Sequence, residues 1–310
     1  MAGEPAGDIL LIGPGWLGGP AAEQLARAQA SGDRVIAVSR SERPAPAGCV
    51  ALQADITRGT DDPAFAASLT APLRAIVVCV APSTARGDSY AVYPAAARGT
   101  ASLAAAFGAR AVVYVSSTGI YDRHDGSAVD ERTLIAPANE RVQALFDAEL
   151  TVLATASAER GAFVLRAAGL YGPGRDPAAR FASGATAADT WCNFSWRDDV
   201  IAAIAHVLTL PPTGHGVLYN CTDNHPVQAG DITHALTGTR PTVEAPVDPH
   251  GPVRAGRSNQ RISSAALLGT GWRPAAPTVF DGLALLGHAL PGHALPGHAL
   301  PGHALPGRPS

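Results

Sequence analysis

Three features of this 310-residue chain have residue types and spacings that could do chemistry. The first is Gly13-Pro14-Gly15-Trp16-Leu17-Gly18, which follows the apolar run Asp8–Ile12 and opens a helical segment. In a turn of this spacing Gly13 makes the tight turn, Gly15 lets backbone approach a pyrophosphate, and Gly18 lets the helix close on the strand, so the bound group expected is a dinucleotide. The second is Ser39-Arg40, with Arg43 close behind, at the end of the next apolar run. An acidic residue there would bond the ribose 2'-hydroxyl of NAD, whereas a guanidinium is a planar, permanently charged partner for a 2'-phosphate. NADP is therefore the expected cofactor and NAD the second choice. The third is an absence: all 23 basic residues are arginine, so no Schiff-base, phosphate-loop or catalytic lysine exists.

A frame must hold these residues, and the hydrophobic pattern predicts it. Short apolar runs end near Ile12, Ser39, Asp55, Val80, Val115 and Arg166, and helical stretches at 90–107 and 139–158 lie between the later ones. Apolar strands alternating with helices specify a parallel sheet covered on both faces. The expected fold class is α/β, a Rossmann-type doubly wound parallel sheet with a smaller C-terminal substrate lobe and a disordered repeat tail. The expected boundaries are a dinucleotide-binding domain over 1–172, a lobe over 173–286 that lends a late strand near 216–220, and a tail over 287–310. A helix is expected near 197–208. The tail consists of four His-Ala-Leu-Pro-Gly copies, whose Pro-Gly period favours turns or extended chain over a packed element.

Composition removes other classes of function. Net charge is -3 without a long basic run, so neither a nucleic acid nor a membrane surface is an expected partner. No apolar segment reaches membrane-spanning length and no basic start precedes an apolar signal core, so the cytoplasm is the expected location. Cys49, Cys79, Cys192 and Cys221 are scattered without metal spacing; they read as small buried apolar residues, and no metal is expected.

Several motifs occur together and in order. Tyr114-Val-Ser-Ser-Thr-Gly-Ile-Tyr121, Ala54-Asp55-Ile56, Arg98-Gly99-Thr100, Leu165-Arg166, Tyr171-Gly172-Pro173-Gly174-Arg175, Phe194–Val200, Val217–Asn220 and Gly271–Pro274 run across residues 8–286. The set resembles the extended short-chain dehydrogenase/reductases, the NAD(P)-dependent epimerase/dehydratase family. The resemblance implies that Asp55 and Ile56 flank the adenine and that Val80 and Ala81, at the fourth strand end, border the cofactor. It also implies a catalytic serine at Ser117. The family's tyrosine and lysine, four apart on the next helix, fall on Arg141 and Leu145, so both are missing, and Ala96 replaces the asparagine that often precedes the Gly-Thr. The pattern is similar to that of atypical members that keep the cofactor motifs and lose the pair.

Residue type suggests replacements. Tyr121 is the phenol nearest the strand end, and Arg141 could supply positive charge or polarise a carbonyl directly. His124, Asp125, Asp130 and Glu131 are further acid/base candidates. Tyr171, Arg175, Trp191 and Arg197 are the expected substrate contacts. The function expected is an NADP-dependent oxidoreductase acting on a carbonyl, imine or secondary alcohol of a small molecule, with a homodimer as the assembly to test. The alternative is a non-catalytic NAD(P)-binding redox sensor or scaffold.

Overall fold

Strands with apolar side chains on both faces need cover on both faces, and helices supply it. The computed structural model describes residues 7–29, 32–83, 87–184, 186–241 and 258–293. Its first half runs β1 (Ile9–Ile12), α1 (Gly18–Ala28), β2 (Val35–Ser39), β3 (Val50–Gln53), α2 (Pro63–Ser68), β4 (Ala75–Val78), α3 (Val92–Ala106), β5 (Ala111–Ser117), β6 (Ser127–Val129) and α4 (Glu140–Leu153). It continues with β7 (Gly161–Ala167), β8 (Gly169–Tyr171), α5 (Ala178–Ala182), β9 (Trp191–Cys192), β10 (Phe194–Trp196), α6 (Arg197–Val207), β11 (Val217–Cys221), β12 (Val227–Gln228), α7 (Ala229–Thr237), β13 (Gln260–Ile262), α8 (Ala265–Gly269) and α9 (Val279–Leu285). Among the described residues no helix is long and apolar enough to cross a membrane.

Seven strands form the main sheet in the order β3-β2-β1-β4-β5-β7-β11, with every pair parallel. This is the Rossmann-type doubly wound sheet. Ile9 and Leu11 of β1 pack with α1, α6 and α8, while Leu10 and Ile12 pack with α2, α3 and α4. The strand order reverses between β1 and β4, which opens a crevice at the strand carboxyl ends.

Local chemistry sets the helix limits. Asn139 accepts the Val142 amide and caps α4, which therefore starts at Glu140 and ends at Leu153, short of the expected residue 158. In α3, a Cβ on Gly99 would overlap the Ile56 carbonyl oxygen. A mid-helix glycine costs about 1 kcal/mol relative to alanine, and here it lets α3 rest directly on the turn at Ile56–Asp61.

The chain crosses the expected division at residue 172 more than once. Residues of α6, β11 and α8, together with Trp272, pack on the sheet, while the smaller lobe has its own core of Tyr171, Phe181, Phe194, Trp196, Ile232 and Phe280. Beyond the expected boundary at 287, the first repeat packs on this lobe. His288 Nε2 lies 2.6 Å from the Asp176 carboxylate, Leu290 joins the lobe core, and the His293 ring stacks on Phe280 at 4.0 Å between centroids. The Gly292 amide also donates to the Ala235 carbonyl. The rest of the tail, residues 294–310, lies outside the described residues. Cys221 is buried, and Cys49, Cys79 and Cys192, partly covered, pack against the apolar cores as small apolar residues.

One buried ion pair crosses the layers. The Arg166 guanidinium on β7 reaches the Glu149 carboxylate on α4 through Nε at 3.0 Å and Nη2 at 2.6 Å, and the Ser116 hydroxyl on β5 donates to the same carboxylate. Removing one member strands a buried charge, so Arg166→Met is expected to lower stability by about 3–5 kcal/mol in urea unfolding. The double variant Arg166→Met/Glu149→Met is expected to be less destabilised than either single one.

Candidate active site

The crevice between β1 and β4 is a cleft of about 920 Å³, at the upper end of the ~300–1,000 Å³ typical of ligand sites. The turn after β1 forms its floor. Gly13 has φ +84°, and a Cβ there would sit 2.8 Å from the Cys79 carbonyl oxygen; a Cβ on Gly18 would collide with the Gly13 carbonyl oxygen. A Cβ on Gly15 would meet nothing within 4 Å, so this glycine leaves its face open to a ligand. Helix α1 starts with no capping side chain and no acidic residue in its first turn, which leaves its amino-terminal dipole for an anion in the cleft. The turn and the uncapped helix fit a dinucleotide pyrophosphate.

At one end Ser39, Arg40, Arg43 and Ile56 line the cleft, and Val80 and Ala81 line its middle. Arg40 Nη2 pairs with Asp88 at 2.8 Å, and the same carboxylate oxygen accepts the Ser83 amide. Asp55 is the exception among the expected cofactor residues. Its carboxylate caps the following turn by accepting the Thr57 amide and hydroxyl, and it does not line the cleft.

At the other end Ser117 closes β5 and caps the turn beyond it, its Oγ accepting the Gly119 amide at 3.2 Å. Arg141 Nη2 lies 3.4 Å from that Oγ. The approach is close because a Cβ at Gly119 would stand 2.7 Å from the same guanidinium. Leu145, one turn further along α4, lines the cleft where the family lysine would be. Arg175 also lines it and lies over the Trp16 ring at 4.3 Å, with the Arg197 guanidinium 5.5 Å from the same ring. The Trp16 indole N–H donates to the Pro173 carbonyl at 2.8 Å, which joins the glycine turn to the loop of the smaller lobe.

Four of the expected catalytic and substrate residues do not line the cleft. Tyr121 is buried and its hydroxyl donates to Asn220 Oδ1 at 2.7 Å, with the Arg166 guanidinium over its ring at 4.8 Å. Burial raises its phenol despite the nearby arginine. Tyr171 is buried in the lobe core, edge-on to Phe194 at 5.5 Å and Trp196 at 5.2 Å, because β8 pairs with β10. Trp191 packs against Gly126 and under Arg261. Arg197 pairs with Asp198 at 2.8 Å and touches the site only through Trp16. The loop acids serve structure: Asp125 accepts the Ser127 amide, Asp130 the Arg132 amide and Glu131 the Asn220 amide, while His124 pairs with Asp122.

Two ionisable lining residues were not among the expected site residues. Cys79 sits under the turn, and burial pushes its thiol up to about 12. Tyr93 stands in the first turn of α3, and the signal that could have found it is its position on the helix leaving the β4 end. The described lining carries four arginines, Arg40, Arg43, Arg141 and Arg175, and no carboxylate. Gly18→Ala is expected to destabilise the fold by about 1–3 kcal/mol in urea unfolding, since the turn must move. Gly15→Ala, with open space above it, is expected to stay within about 0.5 kcal/mol of the parent protein.

No family model matches the chain. Among solved structures, a Methylobacillus flagellatus protein assigned as an NAD-dependent epimerase/dehydratase superposes with a TM-score of 0.69 at 30% identity, covering 91% of this chain and 98% of its own. MoeE5, solved with UDP-glucose and NAD, superposes with a TM-score of 0.70 at 22% identity over 90% of this chain and 96% of its own, a likeness of fold. Protein YeeZ of Escherichia coli is 37% identical over 122 residues, which are 38% of this chain and 42% of that protein. The chain thus spans less than half the length of the curated relative it matches.

Proposed function

The chain belongs to the NAD-dependent epimerase/dehydratase family, and from that premise we propose that it is an NADP-dependent oxidoreductase that reduces an activated carbonyl or imine of a small molecule. One observation carries the reading: Ser117 and Arg141 meet at 3.4 Å in the same cleft that the glycine turn floors.

When bound, a reduced nicotinamide dinucleotide supplies the hydride. The chain's own residues hold it and prepare the substrate. The open face of Gly15 and the uncapped start of α1 take the pyrophosphate. Arg40 and Arg43 take the 2'-phosphate end, and no carboxylate among the described lining residues stands ready for a free 2'-hydroxyl. Arg40 is already paired with Asp88, so a 2'-phosphate competes for this guanidinium with a carboxylate that keeps the Ser83 amide as a partner.

The Ser117 hydroxyl and the Arg141 guanidinium both offer hydrogens to a substrate oxygen. A carbonyl oxygen gathers negative charge as its carbon is reduced, and donors already in place stabilise that charge. Arginine cannot act as a base, which favours reduction of an activated carbonyl over oxidation of an unactivated alcohol.

Fluorescence titration with NADPH and NADH tests the cofactor assignment. Arg40→Ala is expected to weaken NADPH binding about tenfold, or 1.4 kcal/mol, and to leave NADH binding unchanged. Tighter binding of NADH than NADPH by the parent protein would falsify the NADP assignment. For the reaction, NADPH consumption is followed with a panel of aldehydes, ketones and diketones. Ser117→Ala is expected to lower kcat about 100-fold without changing NADPH affinity. Tight NADPH binding with no turnover on the whole panel would favour the sensor or scaffold instead.

A further inference from the structure

A carbonyl that gains a hydride on carbon must gain a proton on oxygen. Ser117 and Arg141 can donate hydrogen bonds to that oxygen, but neither gives up a proton readily near neutral pH. Among the described residues lining the cleft there is no carboxylate, imidazole or amine. Serine and threonine hydroxyls aside, the transferable protons are those of Cys79 and Tyr93. Cys79 lies under the turn against Gly13, and its thiol is held far from neutrality.

The other tyrosines are committed or remote. Of the six in the chain, Tyr114 and Tyr171 are fully buried, Tyr121 gives its hydroxyl to Asn220, and Tyr90 and Tyr219 do not line the cleft. Tyr93 lines the same cleft as Ser117 and Arg141, half-buried, and its ring packs beside the cluster of Ile120, Val142 and Leu145. No described residue takes its hydroxyl in a hydrogen bond.

We propose that Tyr93 is the catalytic proton donor of this site, standing in for the missing tyrosine from a different helix. The inference rests on the reductase reading above. The carbonyl carbon receives the hydride and its two electrons from the reduced dinucleotide, which is oxidised. The C=O π pair moves onto oxygen, the Tyr93 O–H bond breaks as the new O–H bond forms, and the resulting phenolate regains a proton from water. Burial raises the Tyr93 phenol and the Arg141 charge lowers it, so the side chain is protonated at neutral pH and its phenolate is stabilised when formed.

Steady-state kinetics on the full-length protein with NADPH and the same carbonyl panel test this. Tyr93→Phe is expected to lower kcat by about 100-fold or more, with NADPH affinity and the thermal unfolding midpoint at parent values. Tyr93→His, which restores a transferable proton, is expected to recover part of that loss. A second measurement needs no turnover. Tyrosinate absorbance of the parent minus that of Tyr93→Phe isolates the ionisation of Tyr93, and Arg141→Gln is expected to move it to higher pH. An unmoved ionisation overturns the pairing with Arg141. If the parent protein reduces a carbonyl and Tyr93→Phe does so within about threefold of its rate, a loss far below that of a general acid, the donor assignment fails and the reductase reading stands. If the parent binds NADPH and reduces nothing, the reductase reading fails and takes the donor with it.

Discussion

The site depends on one buried ion pair. A charge moved from water into a protein interior costs several kcal/mol unless a partner with good geometry meets it, and Arg166 on β7 is met by Glu149 through two nitrogens. The pair fixes α4 against the sheet, and Arg141 lies on the same helix about two turns before Glu149. The same carboxylate holds Ser116, so the strand end that carries Ser117 is tied to the helix that carries Arg141. Their approach in the cleft follows from a contact made behind it. Arg166 also faces Tyr121, whose hydroxyl is spent on Asn220 of β11. This phenol therefore belongs to the scaffold.

Legibility in the sequence followed the range of the interactions. β1, β4, β5 and β7 were readable because their apolar runs bury side chains on both faces, a pattern written in adjacent residues. The glycine turn was readable because Gly13 and Gly18 answer to atoms a few residues away or on the neighbouring strand. Ser117 and Arg141 were reached by counting along motifs in order. Tyr121, Tyr171 and Trp191 were not readable in the same way. The hydroxyl of Tyr121 is claimed by a residue 99 positions later, and Tyr171 turns into the lobe because β8 pairs with β10. Tyr93 was missed because its one signal is its position on the helix leaving β4, and no motif of neighbouring residues accompanies it. The folded first repeat was hidden because composition alone describes a chain with no partner, and its partners are Asp176, Ala235 and Phe280.

The arginine-only composition gives the cleft a particular electrostatic character. Lysine can lose its proton when desolvated, whereas a guanidinium stays charged. The four lining arginines therefore keep a positive field over the accessible pH range, and the proton chemistry must come from another side chain. Planarity matters as well. Arg175 lies over the Trp16 indole, an arrangement suited to a flat guanidinium, and the indole N–H reaches back to Pro173. The middle of the glycine motif is thus part of the joint between the sheet and the smaller lobe.

The docked repeat has a consequence for inheritance. Its groove reads His288, Leu290, Gly292 and His293, and at Gly292 a Cβ would collide with the His234 carbonyl oxygen. The next five residues spell the same motif, so removing one whole unit from the gene brings an identical hexapeptide to the same place. A change in the number of repeats by whole units therefore leaves the docked hexapeptide, and the surface it covers, the same as long as two units remain.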